Sequence, residues 1–201
     1  MSQSASGVQS LGNQPFVPFL LSQGSLTHKI LAVLAGSWFL AASSQLSVPM
    51  YPVPMTMQTF AVFMVGALYG WRLGAITVLA FLGQALAGMP FLANATGGPA
   101  PFVGPTAGYL LGFVVSAAIV GWMAEKGWTA NGLLRLLATS VVAHVVILAF
   151  GVTWLAAMIG PAGAVAHGLT PFLPGMVLKS ALGAAAILGV ASLRDLLRRK
   201  E

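Results

Sequence analysis

The sequence predicts an all-α integral membrane protein of about six transmembrane helices with both termini cytoplasmic. Composition, the spacing of the apolar runs and the placement of the positive charges lead there. Of the 201 residues, 58% are hydrophobic and only 6% are charged, with a mean hydropathy of +0.90. An ordinary soluble domain carries about 25% charged residues. Long apolar runs recur along most of the chain, so they form the body of the protein and are not a targeting segment on a soluble domain. One membrane domain, 28–195, is expected between a polar N-terminal tail, 1–27, and a basic cytoplasmic tail, 196–201. The opening MSQSASGVQSLGNQ has no Lys or Arg and so lacks the basic start of a signal peptide. Cysteine is absent, which excludes a disulfide framework and thiol chemistry.

A helix needs roughly 20 apolar residues to cross a bilayer, and somewhat fewer where irregular backbone covered by protein completes the span. Polar and Gly/Pro breaks then mark helices at approximately 29–47, 56–71, 73–88, 105–124, 133–156 and 172–193. The second and third are short, so irregular backbone is expected to complete them. Lys29, Arg72, Lys126, Arg135, Arg194, Arg198, Arg199 and Lys200 all fall at one face of this layout. The loops near 48–55, 89–104 and 157–171 contain no Lys or Arg. Because cytoplasmic loops are enriched in these residues, the charged face is the cytoplasmic one. The same asymmetry accounts for the sequence pI near 10.4, with no nucleic-acid partner needed.

The ninth positive charge, Lys179, lies inside the sixth helix, where a charge costs about 2.5–3.5 kcal/mol on insertion scales. Two readings are open. Its long stem can lift the ammonium to the outer headgroups, or the lysine faces a cavity and meets an anion. The acids Glu125, Asp195 and Glu201 all belong to the cytoplasmic face, so under the second reading the counter-charge arrives as a ligand carboxylate. The outer loops supply the rest of a candidate site. In GMPFLANATGGPAPFVGPTAGYLLGF, from Gly88, the glycines, Gly97 and Gly98 among them, allow backbone to approach a ligand. Phe91, Phe102 and Tyr109 offer flat walls, and Asn94, Thr96 and Thr106 offer hydrogen bonds. The turn SVPMYPVPMTMQTF brings Gln58 to the start of the second helix.

These segments are similar to a known family. PVPMTMQT, GMPFL, GGPAPFVGPTAGYLLGF and PFLPGMVLK together resemble BioY proteins, the biotin-binding membrane subunits (S components) of energy-coupling factor (ECF) transporters. The segment Gly104 to Phe113 is the most specific piece. The resemblance implies an ECF S-component-like bundle in the cell (plasma) membrane, surrounded by lipid, that captures biotin beneath its outer loops. It implies as partners a transmembrane coupling protein and a pair of cytoplasmic ATPases, although some members have been proposed to act alone. Lys179 matches the lysine of the family's P-G-D-x-x-K element, whereas Met176 stands where many members have Asp. Thr96 stands where some have Asn, and Leu110 where some have Arg. The polar contacts are therefore expected to be redistributed.

GMVLKS is no ATP site, since Leu178 replaces the required glycine and the run is intramembrane. Energy must then come from outside, or substrate passes down its gradient. In the first helix, Ala32 and Gly36 form a small-xxx-small pair; they are either the docking face for the coupling protein, as the resemblance implies, or ordinary bundle packing. Gly66, Gly70, Gly108 and Gly112 are assigned to internal packing. His144, in the fifth helix, is read as bonded to a neighbouring helix. High-affinity biotin uptake is thus the leading function, a stand-alone facilitator for biotin or a related carboxylate the alternative. An intramembrane enzyme using His144 and Lys179 is weaker, because no nucleophile, base and acid converge. No catalytic set, metal or cofactor is assigned.

Overall fold

The computed structural model describes residues 25–130 and 132–198. Most of the expected N-terminal tail, and the last three residues of the basic one, lie outside these. Helix α1 (Leu26–Gln45) leads into a small antiparallel hairpin, β1 (Ser47–Val48) and β2 (Met55–Thr56), with Ser47 opposite Thr56. Then follow α2 (Gln58–Leu86), a 3-10 turn (Ala93–Ala95), short α3 (Ala100–Val103) and α4 (Ala107–Glu125). Next come α5 (Leu133–Ile159), short α6 (Pro161–Ala164), a π-helical turn (Val165–Leu169) and α7 (Phe172–Arg198). Among the described residues, five helices, α1, α2, α4, α5 and α7, are long and apolar enough to cross a membrane. The protein is a multi-pass helical membrane protein.

Helix α2 covers both of the short helices expected from the sequence. It is not straight. At Gly70 the backbone leaves the helical region, with φ 76° and ψ 177°, a conformation open essentially to glycine alone. Beyond it the chain doubles back: a Cβ built on Gly74 would fall 3.2 Å from the Gly66 Cα. In a continuous helix those residues stand about 12 Å apart along the axis. The expected reversal near Arg72 therefore exists, two residues earlier, between arms 58–69 and 71–86. Gly70, expected to pack helices together, lies against Gly121 of α4 and also makes the turn.

The other paired glycines do pack. Lipid removes most of the hydrophobic drive for helix association, so close van der Waals approach carries it. A Cβ on Gly66 would lie 2.8 Å from the Ala117 carbonyl of α4, and one on Gly112 would lie 3.0 Å from the Ile147 Cα of α5. Gly108 meets Phe150 and Trp154 in the same way. Helices α2 and α4 are accordingly the most enclosed, while α1, α5 and α7 lie at the periphery. At the Gly70 end, Glu125 Oε1 accepts the Trp71 N–H at 3.1 Å, which satisfies a free donor at the start of the second arm. The uncharged segments 46–57 and 87–106 gather at the other end, around a cavity.

Candidate functional site

Two turns into α7, Lys179 directs its side chain inward. It is 6% exposed, and its ammonium donates to the Thr56 carbonyl at 2.8 Å and to Thr59 Oγ1 at 3.1 Å. The β1–β2 pairing carries Thr56 to this position, and the first turn of α2 brings Thr59 beside it. Both acceptors are neutral. An ammonium has three donors, so one is left over. Glu125 is engaged at the far end of the bundle, so its charge does not reach Lys179.

Next to the lysine, Gln58 is tied on one side and free on the other. The Thr56 hydroxyl donates to Gln58 Oε1 at 3.0 Å and accepts the Gln58 N–H at 3.2 Å. Among the described residues, Gln58 Nε2 is buried without a partner. A buried amide donor left unsatisfied costs about 1–3 kcal/mol, a cost that a ligand acceptor would remove.

Both residues line a cavity of about 230 Å³. Its walls are apolar: Tyr109, Leu110 and Phe113 from α4, Ile147 and Leu148 from α5, and Phe172 from α7. Its cover is the 92–106 segment, including Asn94, Thr96 and Thr106. Tyr109 serves as a wall and a strut. Its ring stacks on Phe172 with centroids 5.9 Å apart, and its hydroxyl donates to the Gly168 carbonyl at 2.8 Å. The third outer segment is thereby tied to α4, and the hydroxyl's one proton is spent there. Thr96 and Thr106 likewise spend their hydroxyl protons on the Ala93 and Pro101 carbonyls.

The structure therefore brings together Lys179, Gln58, Asn94, Thr96 and Tyr109 around one cavity. Five other expected site residues stand outside its lining, Phe102 among them, which packs against the core instead. Phe91 stacks on Phe81 and meets Trp38 edge-on, so it anchors the cover instead of touching its contents. Gly97 sits against the Met89 carbonyl, and the Gly98 N–H donates to the Ala85 carbonyl at 2.7 Å; these glycines dock the loop on the end of α2. Met176 faces a shallow groove with Val145, Leu148 and Val152. On α1, Ala32 and Gly36 are buried, and a Cβ on Gly36 would fall 2.6 Å from Thr77 Cγ2. That small-residue face packs α1 onto α2, while Ile30, Leu31, Leu34 and Trp38 occupy the open side.

Several lining residues were not singled out in the sequence. Thr59 had a signal, being a hydroxyl one residue past Gln58. Phe172 lay within the quoted PFLPGMVLK segment; Ile147 and Leu148 had no signal, since nothing in an apolar run separates a cavity-facing residue from a lipid-facing one. His144 lies outside the lining. Its Nδ1 donates to the Ser140 carbonyl at 2.8 Å, within its own helix, and stands 3.4 Å from Ser180 Oγ on α7.

Comparison with known proteins agrees with this architecture. The family model described as the BioY family matches residues 11–196. The biotin transporter BioY of Rhizobium etli is 38% identical over 153 residues, covering 73% of this chain and 81% of the relative. The probable biotin transporter BioY of Rickettsia prowazekii is 29% identical over 164 residues, covering 82% and 83%. A crystal structure of the S-component for biotin from an ECF-type ABC transporter superposes with a TM-score of 0.73 at 24% identity, covering 85% of this chain and 95% of that one. With the matched region spanning nearly the whole membrane domain, the chain belongs to the BioY family.

Proposed function

We propose that this protein captures biotin for uptake across the plasma membrane, with Lys179 as the anchor for the ligand's carboxylate. One observation carries the reading. A buried ammonium, held by two neutral oxygens, lines a cavity whose walls are mainly apolar. A carboxylate would complete it through a charge-assisted hydrogen bond, roughly twice as strong as a neutral one. The fused rings of biotin would lie against Tyr109, Phe113 and Phe172, with Asn94 and Thr96 above and the free Gln58 amide beside the chain of the acid. The relatives are named transporters, so the cavity is read as a capture site and not a reaction chamber. Energy would come from a membrane coupling protein with a pair of cytoplasmic ATPases.

The test pairs a protein change with a ligand change. Lys179→Met should weaken biotin binding strongly, and amidation of the biotin carboxylate should weaken binding to the unmodified protein to a similar extent. Combined, the two losses should not add, since they remove opposite ends of one interaction. Additive losses, measured by titration calorimetry, would place the carboxylate elsewhere. Uptake by cells lacking all coupling components would favour a stand-alone facilitator.

A further inference from the structure

We propose that Ser44 and Gln45, at the end of α1, are positioning residues for this site: they hold the 90–96 segment in a backbone conformation that it would not keep alone. The inference rests on the reading of the cavity as the ligand site. Asn94 (φ 58°, ψ 33°) and Ala95 (φ 53°) are consecutive residues in the left-handed region. Asparagine tolerates that region, because its short polar side chain bonds locally; alanine does not, because its Cβ crowds the following carbonyl. The pair sits between Ala93 and Thr96, and Asn94 and Thr96 both line the cavity. A relaxed Ala95 would swing both away from their places.

The restraint comes from α1. Gln45 Oε1 accepts the Ala95 N–H at 3.1 Å, and Gln45 Nε2 donates to the Leu92 carbonyl at 3.2 Å and lies 3.4 Å from the Pro90 carbonyl. One carboxamide thus holds the segment at two points, its donor on the Leu92 carbonyl ahead of the left-handed pair and its acceptor on the amide that joins the pair's two residues. Ser44, wholly buried, lies with its hydroxyl 2.5 Å from the Phe91 carbonyl and 2.7 Å from that of Ala41, its one proton serving both. It also accepts from Gln45 Nε2 at 2.7 Å. Three successive carbonyls and the amide of the strained residue therefore face two side chains at one helix end. Within the segment, the Leu92 N–H donates to the Thr96 carbonyl at 2.9 Å, which closes the loop without dictating the conformation at Ala95.

The experiment uses full-length protein with Gln45→Leu, a change at an exposed position that leaves the core intact. Biotin binding should weaken roughly tenfold, the scale of one or two lost hydrogen bonds, through faster dissociation. Adding Ala95→Gly should restore most of that loss, because glycine enters the left-handed region without strain. In the ligand-free protein, amide hydrogen exchange over 90–96 should be faster in Gln45→Leu than in the unmodified chain. Unchanged exchange, or a binding loss that Ala95→Gly leaves in place, overturns the inference. Failure of the unmodified protein to bind biotin would instead overturn the reading of the cavity, and the exchange result would still decide the role of Gln45.

Discussion

Lys179 and Gln58 sit side by side in one cavity, yet burial acts on them differently. The lysine has two acceptors and lacks only a counter-charge, so removing it removes an anchor. The Gln58 amide has no acceptor among the described residues, so the empty protein bears its desolvation. Gln58→Leu should therefore leave the ligand-free protein within about 1 kcal/mol of its original stability, because the lost Thr56 contact is offset by removal of an unpaired donor. Biotin should bind more weakly by about 1–3 kcal/mol. Thermal unfolding and calorimetry in the same detergent test both parts; unchanged affinity would mean that the amide does not reach the ligand. Thr59 could be found from its place beside Gln58, whereas the inward turn of Lys179 could not. A lysine stem is long enough to reach headgroups or cavity, and only the position of Thr56, delivered by the β1–β2 pairing, selects the cavity.

At the scale of elements, α2 owes its shape to a single residue. Gly70 adopts φ 76° and ψ 177°, where a side chain costs on the order of 1–3 kcal/mol. The reversal also lies against Gly121 of α4, whose added Cβ would fall 2.3 Å from the Gly70 carbonyl carbon. Gly70→Ala should lower stability by at least that strain and reduce the yield of folded protein. Gly83, in the second arm, has open space where a Cβ would go, so Gly83→Ala should be neutral or stabilising by up to about 1 kcal/mol. Equal effects of the two changes on the unfolding temperature would contradict the break at Gly70. The sequence signalled two short helices here from their length alone, but not the residue of the turn, since glycine in an apolar run serves packing and reversal equally well.

At the scale of the molecule, the cavity lies at the end of the bundle where the uncharged loops meet. The opposite end carries Arg72 stacked on Trp71 and Arg135 near Trp128. If positive charge marks the cytoplasm, the cavity opens outward, as uptake requires. The chain has no cysteine, so single introduced thiols report without background. Ala162→Cys and Lys126→Cys are both at exposed positions at opposite ends. An impermeant reagent applied to intact cells should label the first, and should label the second only after permeabilisation. The reverse pattern would turn the cavity toward the cytoplasm and remove the uptake reading.

The sequence by itself determined that this is a helical membrane protein, where its apolar runs lie, and which of its loops carry positive charge. These follow from local composition, because a bilayer tests each segment separately for hydrophobicity and flanking charge. The motif-bearing loops and Lys179 were also legible as a candidate site, since a lone charge and a cluster of glycines and prolines stand out in an apolar background. Only the tertiary structure decided which of those residues face one another. It set Phe91, Gly97, Gly98 and Met176 outside the cavity lining, turned the small face of α1 inward, and assigned Ser44 and Gln45 to the cover. Such choices depend on contacts between residues far apart in the chain, such as Gln45 with Ala95 and Thr56 with Lys179, and no local pattern encodes which way a side chain turns when every neighbour is apolar.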